Sequence, residues 1–125
     1  MRPFLMFEGQ AQAALDFYQD VFPNAKLGLS LPHADGKGLM LAEIEIAATK
    51  LLVSDSSVHH PFSFTPSVSL FVEFDDAEAL DRAFAMLSAE GEVRMPLDDY
   101  GFSPRFGWTD DRFGVSWQLN LRPAA

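Results

Sequence analysis

The sequence predicts an α+β fold made of two similar halves, each ordered strand, helix, strand, strand, strand. Three observations predict it. Two segments carry apolar residues at helical spacing, residues 10–22 and the stretch between Asp75 and Gly91. Short apolar or alternating runs bounded by turn residues flank each of them. The tripeptide Ala14-Leu15-Asp16 returns 65 residues later as Ala79-Leu80-Asp81, and at that offset Leu15 falls on Leu80, Tyr18 on Ala83 and Phe22 on Leu87.

The elements follow in order. Residues 3–7 are apolar and read as a first strand, broken by Glu8-Gly9. In residues 10–22, Ala11, Ala14, Leu15, Tyr18, Val21 and Phe22 form one helical face, with Gln12, Asp16, Gln19 and Asp20 opposite. Pro23 stops that helix. Residues 25–31, 39–46 and 50–54 read as strands, the last two joined by a turn around Ala47-Ala48-Thr49. Residues 55–66, with His59, His60, Pro61 and Pro66, read as a loop linking module one (about 1–56) to module two (about 66–125).

Residues 67–74 give the strongest strand signal: Val68, Leu70, Val72 and Phe74 share one face, Ser67, Ser69, Phe71 and Glu73 the other. Asp75-Asp76 offers N-caps, with Glu78 placed for a capping box on Asp75. Leu80, Ala83, Phe84 and Leu87 carry the apolar face of the second helix, and Gly91 fits its stop. Residues 92–97, about 104–109 and 115–121 read as the last strands, with Asp110–Gly114 as the final turn. An apolar sheet face must be covered, so each helix covers one face and the other meets the second half or a partner chain.

At 125 residues the chain fits one domain that buries a core without staples. With no cysteine, disulfides, thiolate nucleophiles and thiolate metal sites are excluded. A net charge of -9, with nine scattered basic residues, argues against nucleic acid and against anionic membrane surfaces. No apolar run approaches the roughly 20 residues that cross a bilayer, so a cytoplasmic, unprocessed chain is expected. Nucleophile-elbow, P-loop and dinucleotide spacings are absent.

Few clusters offer other chemistry. His59-His60 with Asp55 nearby, His33 beside Asp35, and Glu43 with Glu45 on one strand face are the candidates for a cation. Adjacent histidines on an extended segment point apart, and two glutamates on a strand face are more often solvated. In the last strand Val115, Trp117, Leu119 and Leu121 share one face, and Ser116, Gln118 and Asn120 the other.

Pro3–Ala11, Ala14-Leu15-Asp16-Phe17-Tyr18 and Val21–Ala25 resemble the opening of PhnB-like proteins. Phe106–Gln118 resembles their closing signature. These proteins belong to the vicinal oxygen chelate superfamily of glyoxalases, bleomycin-resistance proteins and dioxygenases, and many carry a 3-demethylubiquinone-9 3-methyltransferase name. The resemblance spans nearly the whole chain and implies two βαβββ modules, sheets curled into cups, and a homodimer.

It also implies where a divalent metal would sit, on strands one, four, five and eight. Those positions carry Pro3, Val53 (with Ser54 beside it), Ser69 and Gln118, none of them imidazole or carboxylate. No metal and no cofactor are therefore expected. With Gln118 facing the cup, Pro3, Leu5, Phe7, Ser69 and Phe71 would face it too, and Trp108 would join the lining. Tyr100 and Arg105 fall near the rim. The cup is expected to bind a small, uncharged or aromatic molecule. A lyase, isomerase or dioxygenase with a divergent metal site, and a structural or regulatory dimer with a filled cup, are the alternatives.

Overall fold

The computed structural model describes residues 1–124. The chain divides into two compact units, Met1–Pro61 and the segment from Phe62 onward, and the boundary falls inside the predicted loop. The first unit runs β1 (Phe4–Phe7), α1 (Ala11–Val21), β2 (Lys26–Pro32), β3 (Leu39–Ile46) and β4 (Thr49–Asp55). The second runs β5 (Leu70–Phe74), α2 (Ala77–Ser88), β6 (Glu92–Asp98), β7 (Phe106–Asp110) and β8 (Ser116–Leu121). The sheets have orders β1-β4-β3-β2 and β5-β8-β7-β6. In each, the first strand lies parallel to the last and the other pairs are antiparallel. The sequence repeat is thus a repeat of topology: two βαβββ modules with open mixed sheets.

Each helix covers one face of its own sheet. Ala11, Ala14, Leu15, Tyr18 and Val21 of α1 are buried, with Ala42, Ile44, Ile46, Leu51 and Val53 of β3 and β4. Leu80, Ala83, Phe84 and Leu87 of α2 are buried with Val72, Trp117 and Leu119. A side chain of this size contributes roughly 1.5–3 kcal/mol when fully buried. Gly107 of β7 lies under α2: a Cβ there would come 2.6 Å from the Phe84 ring and 2.8 Å from Leu97. That contact fixes the faces of β7, since the neighbours Phe106 and Trp108 must point away from the helix.

Four local expectations are corrected. Asp76, not Asp75, caps α2, its Oδ2 accepting from Ala79 N–H at 3.2 Å. The helix starts one residue later than the capping-box reading requires, and Asp75 instead holds Arg122 at 3.0 and 3.1 Å. β5 begins at Leu70 rather than residue 67, because Ser67 and Val68 turn back on Thr65. The left-handed residue after α2 is Glu90 (φ 62°), not Gly91. The β3–β4 turn is made by Ala47 and Ala48 (φ 50° and 65°), with Thr49 already in β4. Among the described residues, no helix is long and apolar enough to cross a membrane.

Candidate functional site on the open face of the second sheet

The face of sheet β5-β8-β7-β6 that α2 leaves uncovered collects the polar side of β8. Register sets Phe71 and Trp108 on either side of Gln118, and Glu73 and Phe106 on either side of Asn120. Gln118 Nε2 donates to Ser69 Oγ at 2.7 Å, and Trp108 Nε1–H donates to Ser116 Oγ at 2.7 Å. Ser69, Phe71, Trp108 and Gln118 are therefore brought to one face.

An aromatic cluster stands beside these groups. Phe106 is only 3% exposed although it points away from α2. Phe71, Tyr100 and Phe102 pack on its ring with centroids at 6.3, 6.0 and 5.0 Å, and Tyr100 stacks on Phe102. Phe71 and Phe102 remain 55% and 66% exposed. Tyr100 O–H is spent on Pro96 O at 2.6 Å. The sequence reading set Asn120 on the face it shares with Gln118 but missed Phe102 and Phe106. The signal available was aromatic density, three rings within residues 100–106.

At one end of this face Asp110 is buried and held by Arg94 at 2.6 and 3.0 Å. The hydrogen bond to Asp110 raises the pKa of Arg94, holding the guanidinium in its charged form.

The first unit departs from expectation. Phe7 and Val53 are 3% and 0% exposed, and Leu5 pairs in register with Val53, which pairs with Ala42. All lie on the face that α1 covers. The open face instead presents Phe4, Met6, Leu52, Ser54 and Glu43, and Glu43 binds Arg2 at 2.8 Å. A shift of one residue in parity exchanges the faces of a strand. Pro3 precedes β1, is exposed, and offers its carbonyl to Leu52 N–H.

The acidic and histidine candidates do not converge. Asp55 is buried and accepts three backbone N–H groups, from Gly9, Ala11 and Leu39. His33 Nε2–H donates to Asp55 O, His59 Nδ1–H to Glu8, and the His60 ring meets Ser56 Oγ. Among the described residues no three His, Asp or Glu side chains gather as metal ligands. The positions that the resemblance implies for a metal, Pro3, Val53, Ser69 and Gln118, supply neither imidazole nor carboxylate, and Val53 lies under α1, so that set of residues does not fit a divalent cation.

The His59 hydrogen bond lowers the pKa of Glu8 below its ordinary 4.5. A lowered folded-state value means this pairing contributes fully above pH 4.5 and is lost as pH falls through the folded value. A carbon-detected NMR titration is expected to place Glu8 below 4.5 in the wild type and to move it up in His59→Ala. An unmoved Glu8 would contradict the pairing.

Comparison with known proteins settles the family. Residues 1–120 match the family described as 3-demethylubiquinone-9 3-methyltransferase. The chain belongs to that family, the PhnB-like branch of the vicinal oxygen chelate superfamily. A PhnB protein of Bacillus cereus bearing the same methyltransferase name is 35% identical, covers 98% of both chains and superposes with a TM-score of 0.92. Protein PA1353 of Pseudomonas aeruginosa is 26% identical over 98% of this chain and 96% of its own, with a TM-score of 0.86. Protein YjdN of Escherichia coli is 23% identical, covering 97% of this chain and 94% of its own. This PhnB-like chain has its strand-to-helix turns committed to its own carboxylates: Gly9 and Ala11 N–H go to Asp55, and Ala79 N–H to Asp76.

Proposed function

We propose that the protein is a metal-independent binding module that takes a flat, uncharged organic molecule onto the open face of its second sheet. The aromatic cluster carries this reading. Phe71 and Phe102 keep more than half their surface in water beside a row of neutral hydroxyl and amide groups. Exposed clustered rings of this kind mark binding surfaces, because a flat ligand recovers the apolar area they leave wet. The neighbouring carboxylates are matched, Asp110 by Arg94 and Glu73 by Arg122.

Thermal shift and calorimetry with indole, quinoline and naphthalene derivatives test it, set against aliphatic compounds of equal size. An aromatic ligand at a hundred times its Kd adds about 2.7 kcal/mol of stability, which raises Tm by several degrees. Phe71→Ala is expected to weaken binding tenfold or more, and chelator treatment to change nothing. No shift with any aromatic compound, or binding that returns only with added metal, would overturn the reading.

A further inference from the structure

Resting on that reading of the site, we propose that Asn120 selects flat ligands whose ring edge carries a neutral hydrogen-bond acceptor, a carbonyl oxygen or a pyridine-type nitrogen. The other polar side chains of this face are engaged. Gln118 donates to Ser69, Trp108 to Ser116 and Tyr100 to the Pro96 carbonyl. Asp110 is held by Arg94, and Glu73 faces Arg122 at 3.7 Å. Among the described residues, no group bonds the side-chain amide of Asn120. Its Oδ1 is closed to solvent, so the edge it turns outward is the NH2, with two donor protons.

Position sets this donor beside a stacked ligand. Asn120 is half-buried and stands in register between Glu73 and Phe106. Phe71, Tyr100 and Phe102 all pack on Phe106. Neighbouring strands lie about 4.8 Å apart, so a ring that joins the cluster at Phe106 brings its edge to the NH2. An acceptor on that edge replaces the water the NH2 holds, whereas a C–H edge displaces the water and returns nothing. Charge sets the class of acceptor. Asp98, in register with Phe106, and Asp99, beside Tyr100, accept only backbone N–H groups, from Asp99 and Gly101, and no cation among the described residues pairs with them. With -9 on the whole chain, a carboxylate on the ligand is repelled where a neutral acceptor is not.

The isomers 6-methylquinoline and 8-methylquinoline are the probes. They match in apolar area, but the methyl group of 8-methylquinoline shields its ring nitrogen. Neither donates a hydrogen bond above neutral pH, so the Gln118 carbonyl does not tell them apart. Calorimetry on the wild type is expected to show 6-methylquinoline binding roughly three- to tenfold tighter. Asn120→Leu is expected to bind the two alike. In the wild type, the Asn120 NH2 proton resonances are expected to move downfield with 6-methylquinoline and not with 8-methylquinoline, a readout that needs no variant to fold. The anionic 2-naphthoate is expected to bind more weakly than 6-methylquinoline. Equal wild-type affinities for the isomers, a preference that survives Asn120→Leu, or NH2 resonances that respond alike to both overturns the role of Asn120 and leaves the aromatic site standing. Binding of 2-naphthoate as tight as that of 6-methylquinoline overturns the restriction to neutral acceptors. Failure of both isomers to bind overturns the site and this inference together.

Discussion

Replacing Asp55 with alanine is expected to cost ~3 kcal/mol or more and to lower Tm by about 10 °C. Asp55 is 3% exposed and holds two separate pieces of chain, the turn at Gly9–Ala11 and the start of β3 at Leu39. Its Oδ1 accepts from Gly9 N–H at 2.8 Å and Ala11 N–H at 2.9 Å, and its Oδ2 accepts from Leu39 N–H at 2.9 Å. Gln10, the residue before α1, makes no side-chain cap bond, so Asp55 caps the helix from the end of β4. Its negative charge also complements the positive end of the helix dipole. Gly38 leaves room for it, since a Cβ there would come 2.6 Å from Oδ2.

Alanine would strand those donors, each at a cost of about 1–3 kcal/mol when buried. Against a total stability of about 5–15 kcal/mol, that is a large share. Asp55→Asn should lose less, because one oxygen remains, while its new N–H2 would face a backbone N–H. Urea denaturation reads the loss, and amide exchange at Gly9, Ala11 and Leu39 localises it. An alanine variant within about 1 kcal/mol of wild type would show that water replaces the carboxylate without penalty.

The same residue shows where sequence reasoning reaches its end. Asp55 closes the apolar run Leu51-Leu52-Val53-Ser54 and looks like the first residue of a solvated loop, next to a histidine pair. Its partners are backbone groups 16 to 46 residues away, and no side-chain pattern announces a backbone donor. Helix faces were legible because three or four apolar positions recur per two turns; every residue assigned to the α1 face is buried. β8 was legible for the same kind of reason. Trp117 and Leu119 alternate with Ser116, Gln118 and Asn120, and polarity alone tells the faces apart.

β1 offers no such contrast. Phe4, Leu5, Met6 and Phe7 are all apolar, so the choice of inward residues rested on an assumed alignment, and it fell on the wrong parity. The aromatic cluster was hidden for a third reason. Tyr100 and Phe102 come from the connection between β6 and β7, where periodicity carries no information. The contact of their rings with Phe106 and the Tyr100 hydroxyl on the Pro96 carbonyl join them to the sheet.

Gly91→Ala is expected to cost about 3 kcal/mol, and Glu90→Gly to add roughly 0.5–1 kcal/mol. The sequence reading makes Gly91 the left-handed residue that ends α2. In the structure that conformation belongs to Glu90, at φ 62°, where a side chain is disfavoured by about 1 kcal/mol. Gly91 is needed for space instead. A Cβ on it would meet the carbonyl oxygen of Asp110 and lie 3.1 Å from the Leu87 carbonyl oxygen. Both obstacles are backbone, and Glu92 pairs with Asp110 in the adjoining ladder, so neither moves without loosening β6 from β7. Glu90 gives up little by leaving, because its pair with Arg112 is exposed and 3.4 Å long. The two readings diverge in sign. A glycine serving only as the left-handed stop would make Gly91→Ala cost about 1 kcal/mol and Glu90→Gly a loss. Urea midpoints of the two variants, measured side by side, separate a conformational requirement at residue 91 from a steric one.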